Sequence, residues 1–225
     1  MKRKRFSETA ARLLYGMIAG LLIGISALTI YLVQVQLQTP ETVDTDHFSV
    51  EGKHSFDGAI RIEPPIALPD VTLSDQNGRP FKFSDLRGRH VLLTFGFTNC
   101  PDICPLTLSD FQQVREMLRD RAGAVAFVFI SVDGRRDTPA VLRSYFDNRQ
   151  LHGIIALTGS EETVRGIGAP LGLSFEVSGD AAAGAYTVNH TAGSFLLDAS
   201  GTWIMRLQFG LPPERIAAEL RTLLK

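Results

Sequence analysis

Cysteine is scarce in this chain of 225 residues, where it occurs twice, at Cys100 and Cys104. Each of these thiols therefore has only the other as a cysteine partner within the chain. Basic residues form no long patch beyond the N-terminus and the formal net charge is −1, which argues against nucleic-acid binding. No internal repeat is visible. The residues after the N-terminal segment suffice for one well-buried core but are too few for two ordinary domains.

Charge is absent from residues 14–33, a run that follows four basic residues at positions 2–5. As a helix with a rise of about 1.5 Å per residue, the run would be about 30 Å long, which matches the hydrocarbon core of a bilayer. It is longer than the apolar part of a typical signal peptide and no clear cleavage site follows it, which favours an uncleaved anchor over a cleaved signal. We therefore expect a cytoplasmic basic segment at 1–13 and a single transmembrane anchor at 14–33.

The expected location is a bacterial inner membrane, with the C-terminal domain in the periplasm. A mitochondrial leader would be longer and richer in arginine and serine than this N-terminus. Within the anchor, Gly16, Gly20 and Gly24 recur at a spacing of four on one helix face. Small residues let two helices approach closely, so this face predicts a homodimer. The alternative is that glycine is simply common in membrane helices.

A polar stretch without periodicity, residues 34–62, is predicted to be a tether between the membrane and a domain at 63–225. Within the domain, the apolar periodicity predicts a β-hairpin, a βαβα segment, a short βα unit and a final ββα segment. Strands that alternate with helices imply an α/β fold with parallel strand pairs and helices on both faces of the sheet. The final antiparallel hairpin makes the sheet mixed. This order, with a cysteine pair between a strand and a helix, is typical of a thioredoxin-like fold.

The two cysteines lie in a C-x-x-x-C segment after an apolar strand, at the start of an amphipathic helix. Unpaired amide groups and the partial positive charge of a helix N-terminus are expected to lower the pKa of a thiol. A disulfide brace between Cys100 and Cys104 would close a loop of only a few residues and would stabilise the fold little. A chemical role is therefore favoured, as a redox-active pair, as ligands of a soft metal ion, or as both.

Histidine supplies one further candidate ligand among five such residues. His190 lies in the segment 186–191, just before the penultimate predicted strand, and in a thioredoxin-like sheet that loop faces the cysteine loop. The other four are expected in the tether or at the ends of surface elements: His47, His54, His90 and His152.

Three segments carry a resemblance to a known family. Residues 95–105 are FGFTNCPDICP, residues 131–139 are SVDGRRDTP, and residues 188–191 are VNHT. Together they resemble the Sco/SenC family of membrane-anchored copper proteins, and the likeness extends from about residue 63 to the C-terminus and to the N-terminal anchor. The combination of C-P-D-x-C-P with a distant V-x-H-[S/T] is specific, whereas either half alone is weak.

The resemblance implies that Cys100, Cys104 and His190 are ligands of copper, as Cu(I) or Cu(II). It further implies that the protein delivers copper to the binuclear copper site of cytochrome c oxidase. Its partners would be the copper-bearing oxidase subunit and a copper donor or thiol reductant. Two thiolates and an imidazole also suit copper on chemical grounds, whereas structural zinc normally has four protein ligands.

Two residues depart from the family pattern. Asn189 stands where the family usually has aspartate, and it removes one negative charge beside the expected metal. Gly134 stands where the family often has proline.

The alternative function is a thiol–disulfide oxidoreductase or redox sensor that acts on periplasmic cysteines. Thioredoxins use C-x-x-C and place a cis-proline opposite the cysteines, but this chain has no proline between Pro170 and Pro212. A peroxiredoxin would carry a proline ahead of its cysteine, where this chain has Leu93 and Phe95. A metallochaperone is therefore favoured over an enzyme, with thiol–disulfide reductase activity as the enzymatic alternative.

The predicted topology can be tested by fusing alkaline phosphatase to the C-terminus of the full chain. The basic flank and the uncharged run predict a fusion protein that is active and stays in the membrane fraction, because the enzyme folds only after export. An inactive fusion, or a soluble mature protein, would contradict an uncleaved anchor.

Overall fold

The computed structural model divides the chain into two units, Met1–Lys53 and His54–Lys225. In the first unit the described residues are helical with exposed side chains, and the space around Gly16, Gly20 and Gly24 is open. In the part of the chain that the structure describes, no helix is both long enough and apolar enough to cross a membrane. The basic segment 1–13 and residues 35–57 of the tether lie outside the described residues, and the anchor 14–33 lies partly outside them. The structure describes residues 16–18, 20–22, 24–31, 34, 58–181 and 184–225.

The second unit is built on an eight-stranded mixed sheet with the order β1-β10-β9-β4-β5-β6-β2-β3. Strands β4, β5 and β6 are parallel to one another, and the remaining neighbours pair antiparallel. Strands β7 and β8 form a separate two-stranded antiparallel sheet. The strands are β1 Ala59–Ala67, β2 Thr72–Asp75, β3 Pro80–Lys82, β4 His90–Gly96, β5 Val125–Ser131, β6 Ile154–Thr158, β7 Phe175–Asp180, β8 Ala185–His190, β9 Ser194–Leu197 and β10 Thr202–Leu207.

The helices of this unit cover both faces of the sheet. Three of them, α1, α2 and α4, contribute to one buried apolar cluster with Leu92, Phe127 and Phe129. Helix α3 contributes to the opposite cluster with residues of the same strands that point the other way, such as Leu93 and Val128. This division follows from the alternation of side chains along a strand. The helices are α1 Ile103–Leu118, α2 Pro139–Asn148, α3 Glu161–Gly168 and α4 Pro213–Leu223.

The predicted thioredoxin-like fold with a mixed sheet is confirmed, and the predicted elements occur in the predicted order. The predicted N-terminal hairpin is β2–β3, which closes through the Asp75–Gly78 turn with a bond from the Gly78 N–H to the Asp75 carbonyl. The predicted buried strands at 91–97 and 124–132 are β4 and β5, with every residue from Val91 to Gly96 buried.

The boundary between tether and domain differs from the prediction. Strand β1 begins at Ala59, inside the segment 34–62 that was assigned to the tether, and pairs with β10 at the edge of the sheet. Two prolines, Pro64 and Pro65, obscure this strand in the sequence. They are tolerated because β1 is an edge strand whose register shifts between Arg61 and Ile66, so the missing N–H groups break no regular ladder.

The β7–β8 hairpin was not predicted either. Its sequence lacks a strong strand signal, because β7 ends in Ser-Gly-Asp and most of its residues are exposed. In β8, every second residue is at least partly shielded from solvent: Tyr186, Val188 and His190. The hairpin matters for function because His190 is the last residue of β8.

Gly134 provides a test of the packing between the loops that follow β5 and β6. A Cβ atom at position 134 would lie 2.1 Å from the carbonyl oxygen of Gly159, which follows the neighbouring strand β6. We expect Gly134→Ala to lower the free energy of unfolding by about 1–3 kcal/mol, the usual cost of overpacking. The measurement is the midpoint of urea unfolding of the C-terminal unit in the full chain.

The matched control is Gly166→Ala, a glycine inside α3 with no atom within 4 Å of the added Cβ. It should leave the unfolding free energy unchanged or raise it by up to about 1 kcal/mol, because alanine favours helix and reduces the entropy of the unfolded chain. Equal midpoints for the two variants would contradict the tight contact at Gly134.

Candidate functional site

The two cysteines differ in their exposure. Cys100 lies half-buried in the loop between β4 and α1, and its N–H donates to the Phe97 carbonyl at 3.2 Å. Cys104 is the second residue of α1 and only 4% of it is exposed. Both thiols are free. Cys100 is therefore partly accessible to solvent, whereas Cys104 belongs to the core.

Gly96, the last residue of β4, provides the room for Cys104. A Cβ atom at position 96 would lie 2.8 Å from the Cys104 sulfur and 2.7 Å from the ring of Phe129. Any larger residue would push the thiol away from the end of the strand. The glycine therefore allows the first turn of α1 to pack directly onto the sheet.

His190 faces Cys104, as the sequence predicted. Its Nε2 lies 3.6 Å from the Cys104 sulfur, and its Nδ1 lies 3.0 Å from the Thr191 carbonyl oxygen. A carbonyl only accepts, so we assign the ring proton to Nδ1, which leaves a lone pair on Nε2 that faces the thiol. The Phe97 ring meets the imidazole edge to face, with 6.0 Å between ring centroids.

Burial sets the charge of both groups. Desolvation raises the pKa of the Cys104 thiol, and the neighbouring Cys100 thiol raises it further. The expectation that the helix N-terminus would lower the pKa is therefore wrong for Cys104, because the loss of solvation outweighs the helix dipole. Burial lowers the pKa of His190, partly opposed by the bond to the Thr191 carbonyl. At neutral pH the pair is a neutral thiol and a neutral imidazole.

The predicted ligands lie in one region, where the Cys104 sulfur contacts His190 Nε2 and Cys100 lies four residues before Cys104 and packs against the same apolar cluster. Even so, residues 58–181 and 184–225 contain no group of three His, Cys, Asp or Glu side chains that could hold a metal ion as they are placed. Coordination by all three would therefore require side chains to move from these positions. Of the other histidines, His90 begins β4 and His152 is exposed, while His47 and His54 lie outside the described residues.

A buried carboxylate fixes the cysteine loop. Asp137 is fully buried in the loop after β5 and accepts bonds from the Thr98 N–H at 2.9 Å, the Thr98 hydroxyl at 2.5 Å and the Ser131 hydroxyl at 2.6 Å. Burial raises the pKa of Asp137, while the two hydroxyl groups lower it. Because Thr98 lies two residues before Cys100, these bonds locate the start of the cysteine loop.

A second carboxylate in the same loop contacts the His190 hairpin. Asp133 is 4% exposed, pairs with Arg136, and accepts a bond from the Tyr186 hydroxyl at 2.7 Å. The Arg136 Nη1 donates to the Tyr186 carbonyl oxygen at 2.9 Å, and the guanidinium carbon lies 3.6 Å from the centroid of the Tyr186 ring. The Arg136 Nη2 atom is buried and has no hydrogen-bond partner in the described part of the chain.

The roles of Asp133, Arg136, Asp137 and Tyr186 were not predicted from the sequence. The segment 131–139 served there only as a mark of family resemblance, and the segment 186–191 only to place His190. A signal was available, since two acidic residues and an arginine follow a strand predicted to be parallel to the strand before the cysteines. Loops at the carboxyl ends of adjacent parallel strands meet at one edge of a sheet.

Asn189 does not lie beside the candidate ligands. Successive residues of a strand point to opposite faces, and Asn189 is exposed on the outer face while His190 is half-buried on the inner one. Its register partner in β7 is Glu176, which is also exposed. The expectation that Asn189 changes the charge beside the metal is therefore not met by this geometry, because the side chain is on the other face of the hairpin.

Comparison with known proteins places this site in a family. Residues 63–225 match the family model described as SCO1/SenC. An SCO2-like protein from Rickettsia felis is 32% identical over 206 residues, which covers 91% of this chain and 93% of that protein. The structure of ScoI from Bradyrhizobium japonicum with copper bound is 30% identical, with a TM-score of 0.64 over 70% of this chain and 99% of that one. The solution structure of apo Sco1 from Thermus thermophilus is 32% identical, with a TM-score of 0.66 over 76% and 99%.

The contact between Thr98 and Asp137 generates a prediction. Thr98→Val keeps the shape of the side chain but removes the hydroxyl, which is one of three hydrogen-bond donors to the buried Asp137 carboxylate. We expect a loss of about 1–3 kcal/mol in the free energy of unfolding, the cost of leaving a buried acceptor short of a partner. Urea unfolding measures this loss, and Thr98→Ser, which retains the hydroxyl, is the control. A Thr98→Val variant as stable as Thr98→Ser would contradict the role given to the bond.

Proposed function

We propose that this chain, which belongs to the SCO1/SenC family, binds copper as cargo and delivers it to the copper-bearing subunit of cytochrome c oxidase. The single observation that carries the proposal is the contact of the Cys104 sulfur with His190 Nε2 at 3.6 Å, next to the free thiol of Cys100. Two thiols and an imidazole therefore lie together on three separate elements of the fold.

The donor set fits copper. Thiolates are soft ligands that suit Cu(I), and an imidazole nitrogen with a free lone pair suits both copper oxidation states. Because His190 is neutral and its Nδ1 is bound to the Thr191 carbonyl, its Nε2 is available as a ligand without the loss of a proton. The Cys104 thiol must lose its proton when the ion binds, so metal uptake is coupled to proton release and to the reduced state of both cysteines.

The unequal exposure of the cysteines suggests a direction for transfer. Cys100 is half-buried in a loop, whereas Cys104 is in the core. A partner's thiolates would meet the ion from the Cys100 side, and exchange of ligands would begin there. The copper-bound ScoI relative supports copper as the cargo, and the family resemblance supports the oxidase as the recipient.

The proposed location is the periplasmic side of a bacterial inner membrane. Its support is the sequence pattern of a basic N-terminus followed by the uncharged run 14–33. Self-association through Gly16, Gly20 and Gly24 remains a prediction.

A thiol–disulfide reductase is the second candidate function, because two free cysteines lie four residues apart at the start of α1. In that case the half-buried Cys100 would attack, since the raised pKa of Cys104 makes it a poor nucleophile at neutral pH. Such a reductase would need both thiols but not His190, since exchange proceeds through thiolate attack and a mixed disulfide. The imidazole therefore distinguishes the two functions.

The proposed ligand set can be tested with single substitutions in the reduced protein. We expect one copper ion per chain, and we expect Cys100→Ser, Cys104→Ser and His190→Ala each to weaken binding by more than about a hundredfold. Loss of a ligand should cost more than loss of an outer-shell partner, for which about 10–100-fold is typical. The measurements are metal content after dialysis and competition with a copper chelator, and His152→Ala, an exposed histidine, is the control.

Oxidase activity in a deletion strain at low copper then separates the carrier from the reductase. A carrier needs His190 as much as Cys100, so both variants should fail and excess copper should restore activity. Full complementation by His190→Ala, with Cys100→Ser still inactive, would contradict the carrier function and support the reductase function.

A further inference from the structure

Among the described residues, the hairpin that carries His190 pairs with no strand of the main sheet. Strands β7 and β8 pair only with each other, in a two-stranded sheet apart from the eight-stranded one. Isolated hairpins are marginally stable. The position of His190 relative to Cys104 must therefore depend on the side-chain contacts that fasten this hairpin to the rest of the unit.

Phe175 and Val188 of the hairpin are buried in the apolar core, and polar contacts add to this attachment at two places. At the base of the hairpin, Arg165 donates to the Phe175 carbonyl at 3.0 Å, and its guanidinium carbon lies 4.0 Å from the centroid of the Phe175 ring. Farther along β8, Tyr186 is the point of attachment. It lies on the same face as His190, four residues away, which at about 3.3 Å per residue is about 13 Å along the strand.

Tyr186 makes three different contacts with the loop after β5. Its hydroxyl donates to Asp133, its carbonyl accepts from Arg136, and its ring lies under the guanidinium group of Arg136. Asp133 and Arg136 also pair with each other, so the three residues form a closed set. The Asp133 side chain is 3% exposed and the Arg136 side chain 21%, so water competes little for the carboxylate, and removal of one of its hydrogen-bond donors is costly.

The loop after β5 also contacts the cysteine loop. Asp137 binds Thr98 at the start of the cysteine loop, and Asp133 binds Tyr186 on the hairpin, with only three residues between the two carboxylates. One short segment, residues 131–138, therefore contacts both the loop that carries the thiols and the hairpin that carries the imidazole.

We propose that Tyr186, fastened by Asp133 and Arg136, is a positioning residue that sets the approach of His190 Nε2 to Cys104. The inference rests on the proposed function only in so far as His190 is a copper ligand. Its structural part, the control of the contact between His190 and Cys104, concerns the metal-free protein as well.

The test is Tyr186→Phe, which removes the bond to Asp133 and keeps the ring against Arg136. In the reduced, metal-free full chain we expect the imidazole nitrogen resonances of His190 to shift, because the Nε2 contact with Cys104 loosens. In the loaded protein we expect copper affinity to fall about tenfold, as for an outer-shell partner, and the absorption spectrum of the Cu(II) form to change.

Tyr145→Phe is the matched control. The Tyr145 hydroxyl is buried and has no hydrogen-bond partner among the described residues, so its removal should leave the His190 resonances, the copper affinity and the spectrum unchanged. Urea unfolding of both variants identifies any global loss of stability, and Tyr186→Leu, which removes the ring as well, should enlarge the His190 shift.

The outcomes are distinct. If the His190 resonances of Tyr186→Phe match those of the unmodified chain, the positioning role is overturned, whatever the copper affinity. If His190→Ala binds copper normally, the proposed ligand set fails, yet a shift of the resonances in Tyr186→Phe still supports the positioning role. A fall in copper affinity that merely tracks a loss of global stability, with unshifted resonances, also overturns it.

Discussion

The buried carboxylate of Asp137 is the constraint on which the site depends. A carboxylate loses much of its hydration in the interior, so burial is tolerable only when hydrogen bonds replace the lost water. Here the donors are the N–H and hydroxyl of Thr98 and the hydroxyl of Ser131. Moving the cysteine loop away would leave this carboxylate without two of those three donors. The loop that precedes α1 is therefore held by the cost of an unsatisfied acceptor, and the free thiols are placed as a consequence.

The pKa of the Cys104 thiol is determined by its burial rather than by its position at the N-terminus of α1. The N-terminus of α1 provides a favourable potential for a thiolate, but Cys104 lies in the core, where desolvation dominates and its pKa rises. The neutral thiol can then donate to the lone pair of His190 Nε2, which is itself neutral because burial lowers the pKa of the ring. The resting pair carries no buried charge, and the ionised thiolate becomes favourable only when a cation replaces the proton. This arrangement favours retention of a metal ion over spontaneous thiolate chemistry at Cys104.

The parts of this architecture that depend on local pattern could be predicted from the sequence. The apolar run at 91–97 predicted β4, and the placement of Cys100, Cys104 and His190 predicted which loops would meet. Strand β1 was missed because Pro64 and Pro65 argue against a strand, and only its place at the sheet edge makes them acceptable. The roles of Asp137 and Tyr186 rest on contacts across 39 and 53 residues of chain, which no local pattern encodes. The raised pKa of Cys104 likewise depends on tertiary burial.

The structure gives a physical reason for each of the two departures from the family pattern, Gly134 and Asn189. Gly134 follows Asp133 at a point where the backbone passes so close to the Gly159 carbonyl that a Cβ atom would overlap it. Asn189 lies on the outer face of the hairpin, directly opposite Glu176 in the β7–β8 register. An aspartate at position 189 would place two negative charges side by side across the strands, an arrangement that destabilises a pair. The amide avoids that repulsion in a hairpin whose strands pair with each other and not with the main sheet. Its effect on the site is therefore indirect, through the stability of the element that presents His190.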